Sequence, residues 1–275
     1  MKKFIILVVA VIFMLCFSAC GSNNTPTNND DSDKDSAYNS EDNFEWDGNL
    51  IVGLSDEGCD EKELAIPERC EGFGGAIFAE KDNAVEKVTF AGNGDISLNG
   101  VFTSANNIRF ISLPEGLTKI NNMDFWLCES LEEIEIPSSV TTVGEAAFQK
   151  CSSLKKVVFG DKLIEIQEYA FDGCSSLNTV VFADAIGTIG EYAFYECTSL
   201  EKIVLPKALK NVGAFAFANG ALVEITVPEE VQLDAYDTTS FVQTNSTVKV
   251  IVKSGSWMDE NFDGVFENGY IKEVK

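Results

Sequence analysis

Apolar residues recur along the middle of the chain at a fixed interval of 23 residues. The interval is clearest in three columns, which contain Phe125, Phe148, Phe171 and Phe194, then Cys128, Cys151, Cys174 and Cys197, then Leu131, Leu154, Leu177 and Leu200. Self-similarity at such a period is typical of stacked repeat architectures. The pattern therefore predicts a solenoid in which each repeat forms one rung and the apolar columns share one core.

Each repeat ends in a short alternating stretch, which predicts a strand. In the repeat that ends at Pro206, Ile203 and Leu205 are expected to point inward and Lys202 and Val204 outward. The preceding A-F-x-x-C segment is too short for more than a helical turn. Weaker copies extend the array over residues 62–252, with expected caps at residues 46–61 and 253–275. The predicted fold class is an α/β repeat, a solenoid of about nine rungs with a parallel strand face.

The repeat unit resembles a known family. Residues 138–157, S-S-V-T-T-V-G-E-A-A-F-Q-K-C-S-S-L-K-K-V, are similar to the repeats of BspA-like leucine-rich repeat proteins, which are bacterial surface lipoproteins. The resemblance covers roughly residues 62–252 and implies a right-handed, curved leucine-rich repeat solenoid that adheres to host or bacterial surface molecules. It implies no catalytic residue, because the family shares none, and it does not identify the ligand.

The N-terminus is predicted to be a signal peptide, residues 1–19. Lys2 and Lys3 precede an apolar run that ends at Phe17, and two small residues separate that run from Cys20. This resembles a bacterial lipoprotein signal, which implies that Cys20 is acylated, although Phe17 stands where the family prefers leucine. An ordinary signal peptide that leaves Cys20 as a thiol is the alternative. The resemblance implies a membrane-anchored lipoprotein of the cell envelope, exposed at the cell surface.

Residues 20–45 are polar and acidic, which predicts a flexible tether. Five of its side chains match the spacing of a calcium-binding loop: Asp31, Asp33, Asp35, Asn39 and Asp42. However, Ser36 replaces the glycine of that loop, and no helical pattern flanks it. We therefore expect a solvated acidic spacer.

The composition of the chain disfavours several classes of function. The chain has 20 Lys and Arg against 44 Asp and Glu, a net charge of −24, which disfavours nucleic acid as a partner. It has no histidine, so no triad or metal site can use one. Glu133 and Glu135 form a candidate carboxylate pair for glycoside hydrolysis, but such a pair on an exposed strand more often forms a solvated face. We expect no catalytic residue, metal or cofactor, and therefore no enzyme.

The cysteines are interpreted as structural. Stacked copies of Cys128, Cys151, Cys174 and Cys197 would point the same way, which favours reduced core thiols over disulfides. Four sulfurs in a line cannot form the tetrahedron that zinc requires. Cys70 falls in an inward column, and a bridge between Cys59 and Cys70 is the one disulfide that we consider.

The outward strand face is the candidate binding surface. We take its central residues as candidate ligand contacts, namely Phe110, Lys156, Val158, Thr179, Val181, Lys202 and Val204. The three valines would form an exposed apolar strip. The sequence thus predicts a lipid-anchored surface protein that binds an extracellular or surface protein, or a glycan. The alternative is a structural spacer or envelope-assembly component without a dedicated ligand, in which the valines only suit a strand.

Overall fold

The computed structural model describes residues 41–79, 82–236, 239–241, 247–266 and 269–275. The predicted signal peptide, Cys20 and the tether up to residue 40 lie outside the described residues. The described chain winds into a parallel β-solenoid of about nine turns, which confirms the predicted fold class.

The predicted strand face is present but is divided into two parallel sheets. The first contains β3 (Glu63–Ile66), β5 (Lys87–Phe90), β6 (Phe110–Ile111), β8 (Glu133–Ile136), β10 (Lys156–Phe159) and β12 (Thr179–Val181). The second contains β14 (Lys202–Val204), β16 (Glu224–Thr226), β18 (Val248–Val252) and β19 (Tyr270–Val274). Because β12 and β14 are not paired, the strand face has a seam between these two rungs.

A further parallel sheet was not predicted. It consists of β7 (Lys119–Ile120), β9 (Thr142–Val143), β11 (Glu165–Ile166), β13 (Thr188–Ile189), β15 (Asn211–Val212) and β17 (Ala235–Tyr236). Each of the first five strands contributes one buried apolar residue to the core, such as Ile166 and Ile189. Two residues are too few to show the alternation by which a strand is recognised in a sequence. This sheet is continuous past the seam, since β13 pairs with β15.

The A-F-x-x-C segments form the third side of the coil, as turns. Two positions per repeat have a left-handed backbone, as at Tyr169 (φ 56°) and Gly173 (φ 71°). Non-glycine residues rarely adopt this conformation, and it interrupts a helix. Several amides bond instead to the next rung, as where Phe171 N donates to the Ala193 carbonyl over 2.7 Å. The turn side is therefore held by rung-to-rung hydrogen bonds, as the sheets are.

Phenylalanine rings form a continuous stack through the core. Adjacent rings from Phe78 to Phe241 lie nearly parallel at centroid distances of 4.7–5.4 Å. The members of this stack are Phe78, Phe102, Phe125, Phe148, Phe171, Phe194, Phe217 and Phe241, each at most 2% exposed. The stack runs past the seam without a break, so the core is shared by both parts of the strand face.

The N-terminal end is closed by a hairpin that begins earlier than predicted. A short 3-10 helix (Glu41–Asn43) leads into β1 (Phe44–Asp47), which pairs antiparallel with β2 (Leu50–Leu54). Helix α1 (Asp56–Asp60) follows, and β2 pairs with β4 (Gly72–Phe73). The predicted boundary at residue 46 is therefore wrong, because Phe44 is 5% exposed and belongs to the core. A single aromatic residue in an acidic run gave too weak a signal.

The C-terminal segment contains helix α2 (Trp257–Val265) and β19. These elements lie within the predicted C-terminal cap, residues 253–275, and β19 pairs with β18 along its whole length. Lys272 lies opposite the inward-facing Val250, and its ammonium pairs with Asp259 of α2 over 2.6 Å. A lysine on an edge strand is a known device against edge-to-edge association.

Candidate interaction surface

The outward residues of the strand face stand in two columns. The first contains Glu63, Lys87, Phe110, Glu133, Lys156 and Thr179, then Lys202, Glu224, Lys249 and Ile271 after the seam. The second contains Ala65 and Thr89, then Glu135, Val158 and Val181, and after the seam Val204, Thr226, Ile251 and Glu273. Ala65 is buried, so the second column is not accessible to solvent at its N-terminal end.

The structure places the predicted contact residues on one face but exposes them unequally. Phe110 is 42% exposed, Val181 47% and Val204 59%, and Thr179 and Lys202 are also exposed. Val158 and Lys156 are half-buried, so Val158 is less exposed than the other two valines of the predicted strip. The strip is also interrupted, because Val158 and Val181 are paired neighbours whereas Val204 lies beyond the seam.

Charges at the two ends of the face neutralise one another. Lys87 pairs with Glu63 over 2.8 Å at one end. At the other end, Glu224 lies 3.7 Å from Lys202 and 3.4 Å from Lys249, and Lys249 lies 2.8 Å from Glu273. In the centre, Glu133 and Lys156 are neighbours in register but form no ion pair with any described residue. The centre of the face therefore keeps its charges available.

A charged ladder flanks the strand face at the residue that precedes each strand. It alternates in sign through Lys62, Glu86, Arg109, Glu132 and Lys155. Hydrogen bonding to Lys62 lowers the pKa of Glu86, and hydrogen bonding to Lys155 and Arg109 lowers the pKa of Glu132. This ladder was not predicted from the sequence, although its residues recur at the rung period.

A groove of about 550 Å³ crosses the strand face on the rungs of β6, β8 and β10. Its lining includes Phe110, Val158 and four carboxylates, Glu115, Glu133, Glu135 and Asp161. Gly160 also lines it, and a Cβ there would lie 2.5 Å from the Pro137 carbonyl oxygen. The close approach of two rungs therefore requires a glycine at this position.

Another groove, of about 560 Å³, lies along the sheet formed by β11, β13 and β15. Glu145, Glu168 and Glu191 line it, one from each of three successive rungs. Part of the acidic charge of the chain is therefore placed on a side of the solenoid away from the strand face.

Two buried carboxylates, Asp124 and Asp172, were not predicted from the sequence. Asp124 is fully buried and accepts hydrogen bonds from Gly100 N over 2.8 Å and Asn121 N over 2.7 Å. Asp172 is 7% exposed and accepts from Gln149 Nε2 over 2.8 Å. Burial raises the pKa of both groups. Both bridge neighbouring rungs, and neither lies in the two strand-face columns.

The column of cysteines is buried, and its thiols donate to backbone carbonyls. Cys151 Sγ, for example, lies 3.1 Å from the Phe125 oxygen. Burial raises the pKa of Cys151 and Cys197, which disfavours reactive thiolates. Cys70 is a free thiol that donates to the Gly72 carbonyl over 3.2 Å, so the disulfide considered between Cys59 and Cys70 is not formed.

The described ranges contain no group of three or more acidic or cysteine side chains that could hold a metal ion. Within the same ranges, no helix has the length and apolar character that crossing a bilayer requires.

A stacked parallel solenoid of this period, with one strand per rung on an open face, defines a leucine-rich repeat protein. The chain matches a family model described as BspA type leucine rich repeat region, in six copies over residues 57–141 and 118–248. It therefore belongs to the BspA-type leucine-rich repeat family, which confirms the resemblance seen in its repeats. Proteins of this family are bacterial surface repeat proteins and are typically non-catalytic.

The chain is also similar, at low identity, to solved structures of leucine-rich repeat proteins. The chain is 23% identical to a leucine-rich repeat protein of T. pallidum, covering 68% of this chain and 85% of that one with a TM-score of 0.43. For a leucine-rich repeat protein of Bacteroides ovatus, the identity is 16%, the coverage 82% and 74%, and the TM-score 0.37. For a leucine-rich cell surface protein of Faecalibacterium prausnitzii, these values are 17%, 72% and 83%, and 0.29. No curated protein matches the chain.

Proposed function

We propose that this protein is a non-catalytic binding protein of the bacterial cell surface that uses its strand face to contact a protein partner. The observation that carries the proposal is the exposure of Val181 and Val204 on a face whose end charges are already paired. Exposed apolar side chains that are grouped and bordered by polar residues are typical of interaction sites. A glycan would favour a pocket with several aromatic side chains. Of the two grooves described above, one has a single exposed aromatic ring, Phe110, among four carboxylates and the other has none, so a protein partner is the better fit.

The proposed anchor is the acylated Cys20, with the following acidic residues as a tether that holds the solenoid away from the membrane. Cys20→Ala should release the protein into the medium or leave it as unprocessed precursor. Acyl chains supply about 0.8 kcal/mol per buried methylene, and two such chains on Cys20 would account for stable anchoring. Detergent phase partitioning of cell fractions measures this. If the variant enters the detergent phase as fully as the wild type and at the mature mass, the lipoprotein assignment is wrong.

The strand face is tested by Val181→Glu. Because Val181 is already exposed, the change should alter the free energy of unfolding by only about 1 kcal/mol or less. In a complex, the new carboxylate would lose its water without gaining a partner, so affinity should fall tenfold or more, a loss of about 1.4 kcal/mol at least. The full chain in detergent is used to capture partners from host extracellular matrix and from neighbouring bacteria, and each captured protein is then titrated with both forms.

Ile164→Glu is the matched control, because Ile164 is 55% exposed and precedes β11 on another side of the coil. Gln149 is unsuitable for this purpose, since its amide joins Trp126 and Asp172. Ile164→Glu should leave binding unchanged. Equal binding by both variants would mean that the valines are present only because β-branched residues favour strands. The protein would then be interpreted as a structural spacer without a dedicated ligand.

A further inference from the structure

We infer that the partner of the strand face presents a basic side chain to the groove beside Phe110 and an apolar side chain to Val181 and Val204. This inference rests on the proposed function and specifies the chemistry of the partner. It treats the groove and the valines as two halves of one docking surface, because both occupy the same columns of the same face.

Charge complementarity carries the first half. Glu115, Glu133, Glu135 and Asp161 line the groove, and none of them forms an ion pair with a described residue. The carboxylates in the charged ladder and at the ends of the face are paired, in contrast. A face whose carboxylates are paired at its two ends but unpaired in one groove is complementary to a cation in that groove.

Lys156 is a cation of the first column that lies next to Glu133, and its position defines the site more closely. It is half-buried, in register with Glu133, and not paired with any described residue. One lysine leaves the group of four groove carboxylates with an excess of negative charge. Because Lys156 stands between the groove and Thr179, it repels a basic group from the valine side and directs it toward Glu135 and Phe110.

Phe110 supplies a second kind of contact for a basic side chain. Its ring stays 42% exposed although the Arg109 guanidinium carbon lies 5.2 Å from the ring centroid. The ring therefore already accommodates one cation at cation–π distance within this protein. The aliphatic stem or the charged head of a partner's arginine or lysine can pack on the remaining exposed surface.

Geometry fixes the separation of the two halves. Glu135, Val158 and Val181 are successive neighbours in the second column, so Glu135 and Val181 are two rungs apart. At about 4.8 Å per rung, this separation is about 10 Å. The partner segment should therefore present a basic and an apolar side chain on the same side, about 10 Å apart. The apolar side chain would contact Val181 and Val204 at the seam.

The test uses a displayed library of random peptides selected on the full chain in detergent. Peptides that carry a basic residue together with an apolar one should be enriched. Glu133→Gln combined with Glu135→Gln should weaken their binding about tenfold, because it removes the two charges that a docked cation would face. Both side chains are exposed, and thermal unfolding followed by circular dichroism verifies that the double variant folds.

Glu145→Gln combined with Glu168→Gln is the matched control, since it removes the same charge from the other groove. It should change binding less than about twofold, because only general attraction to the acidic chain is reduced. Equal losses in the two double variants would overturn the inference. A second outcome would also overturn the inference: the enriched peptides lack basic residues, and Val181→Glu disrupts their binding whereas Glu133→Gln with Glu135→Gln does not. That outcome would still support the proposed function. Binding that neither Val181→Glu nor the first double variant alters would overturn both.

Discussion

Phe171→Ala is expected to lower the free energy of unfolding by about 3–5 kcal/mol. Phe171 is fully buried, its ring lies 4.9 Å from that of Phe148 and 5.1 Å from that of Phe194, and Phe159 packs against its edge at 5.7 Å. Removing the ring loses its burial and leaves a cavity. The neighbouring rungs cannot close that cavity, because hydrogen bonds to both sides fix their spacing.

Chemical denaturation of both forms measures the loss, and Phe110→Ala is the control, since its ring is exposed and outside the stack. The damage should also be local, because each rung contacts only its neighbours. Hydrogen exchange should therefore accelerate most at the Phe148 and Phe194 amides, which bond to Ala170 and Ala216. A melting temperature within about a degree of the wild type would contradict the placement of Phe171 in a continuous stack.

The sequence predicts those parts of the fold that are encoded by side-chain burial. A column of phenylalanines or leucines records an inward position in every rung, so the core and the outward alternation of β8 or β10 could be predicted. The strands of the additional sheet could not, because Thr188–Ile189 shows one apolar residue and no alternation. Its pairing depends on backbone groups, and these leave no trace in residue type.

The surface was predictable to a lesser extent. The columns of Val181 and Glu133 follow from the repeat period, so the sequence could place them on one face. Their environment depends on neighbouring rungs: Val158 is half-buried, and the seam separates Val181 from Val204. The step across the seam, from Thr179 to Lys202, is 23 residues, as are the steps from Lys87 to Thr179, so the division of the face is known only from the structure.

The buried polar groups were the main feature of the core that was not predicted from the sequence. Asp124 occupies the position before Phe125, where the other repeats carry Ala147, Ala170 and Ala193. The alanines are buried at this position, and an aspartate there is therefore a charged residue in a core column. A departure from an otherwise apolar column was the available signal, and the structure explains it through two backbone amides that need an acceptor.

Asp124→Ala is the second large effect that we expect, a loss of about 2–5 kcal/mol in the free energy of unfolding. The carboxylate accepts from Gly100 N and Asn121 N, which belong to neighbouring rungs. Alanine would leave both amide groups buried without an acceptor, at about 1–3 kcal/mol for each. Part of that cost is offset, because the variant no longer has to desolvate a carboxylate. The loss should therefore be somewhat smaller than the sum of the two amide costs.

The dependence on pH separates this explanation from simple loss of packing. Burial raises the pKa of Asp124 above its ordinary value of 3.8, so the folded state takes up a proton at a higher pH than the unfolded state does. The stability that this group contributes must therefore increase as pH falls through the raised pKa, and it is complete below about 4. Urea denaturation of both forms should accordingly show a larger difference near pH 4 than at pH 7. Asp124→Asn keeps one acceptor but cannot titrate, so it should lose less stability than Asp124→Ala at pH 7. A difference between wild type and Asp124→Ala that shrinks on acidification would show that the carboxylate is stabilised in its charged form, contrary to this account.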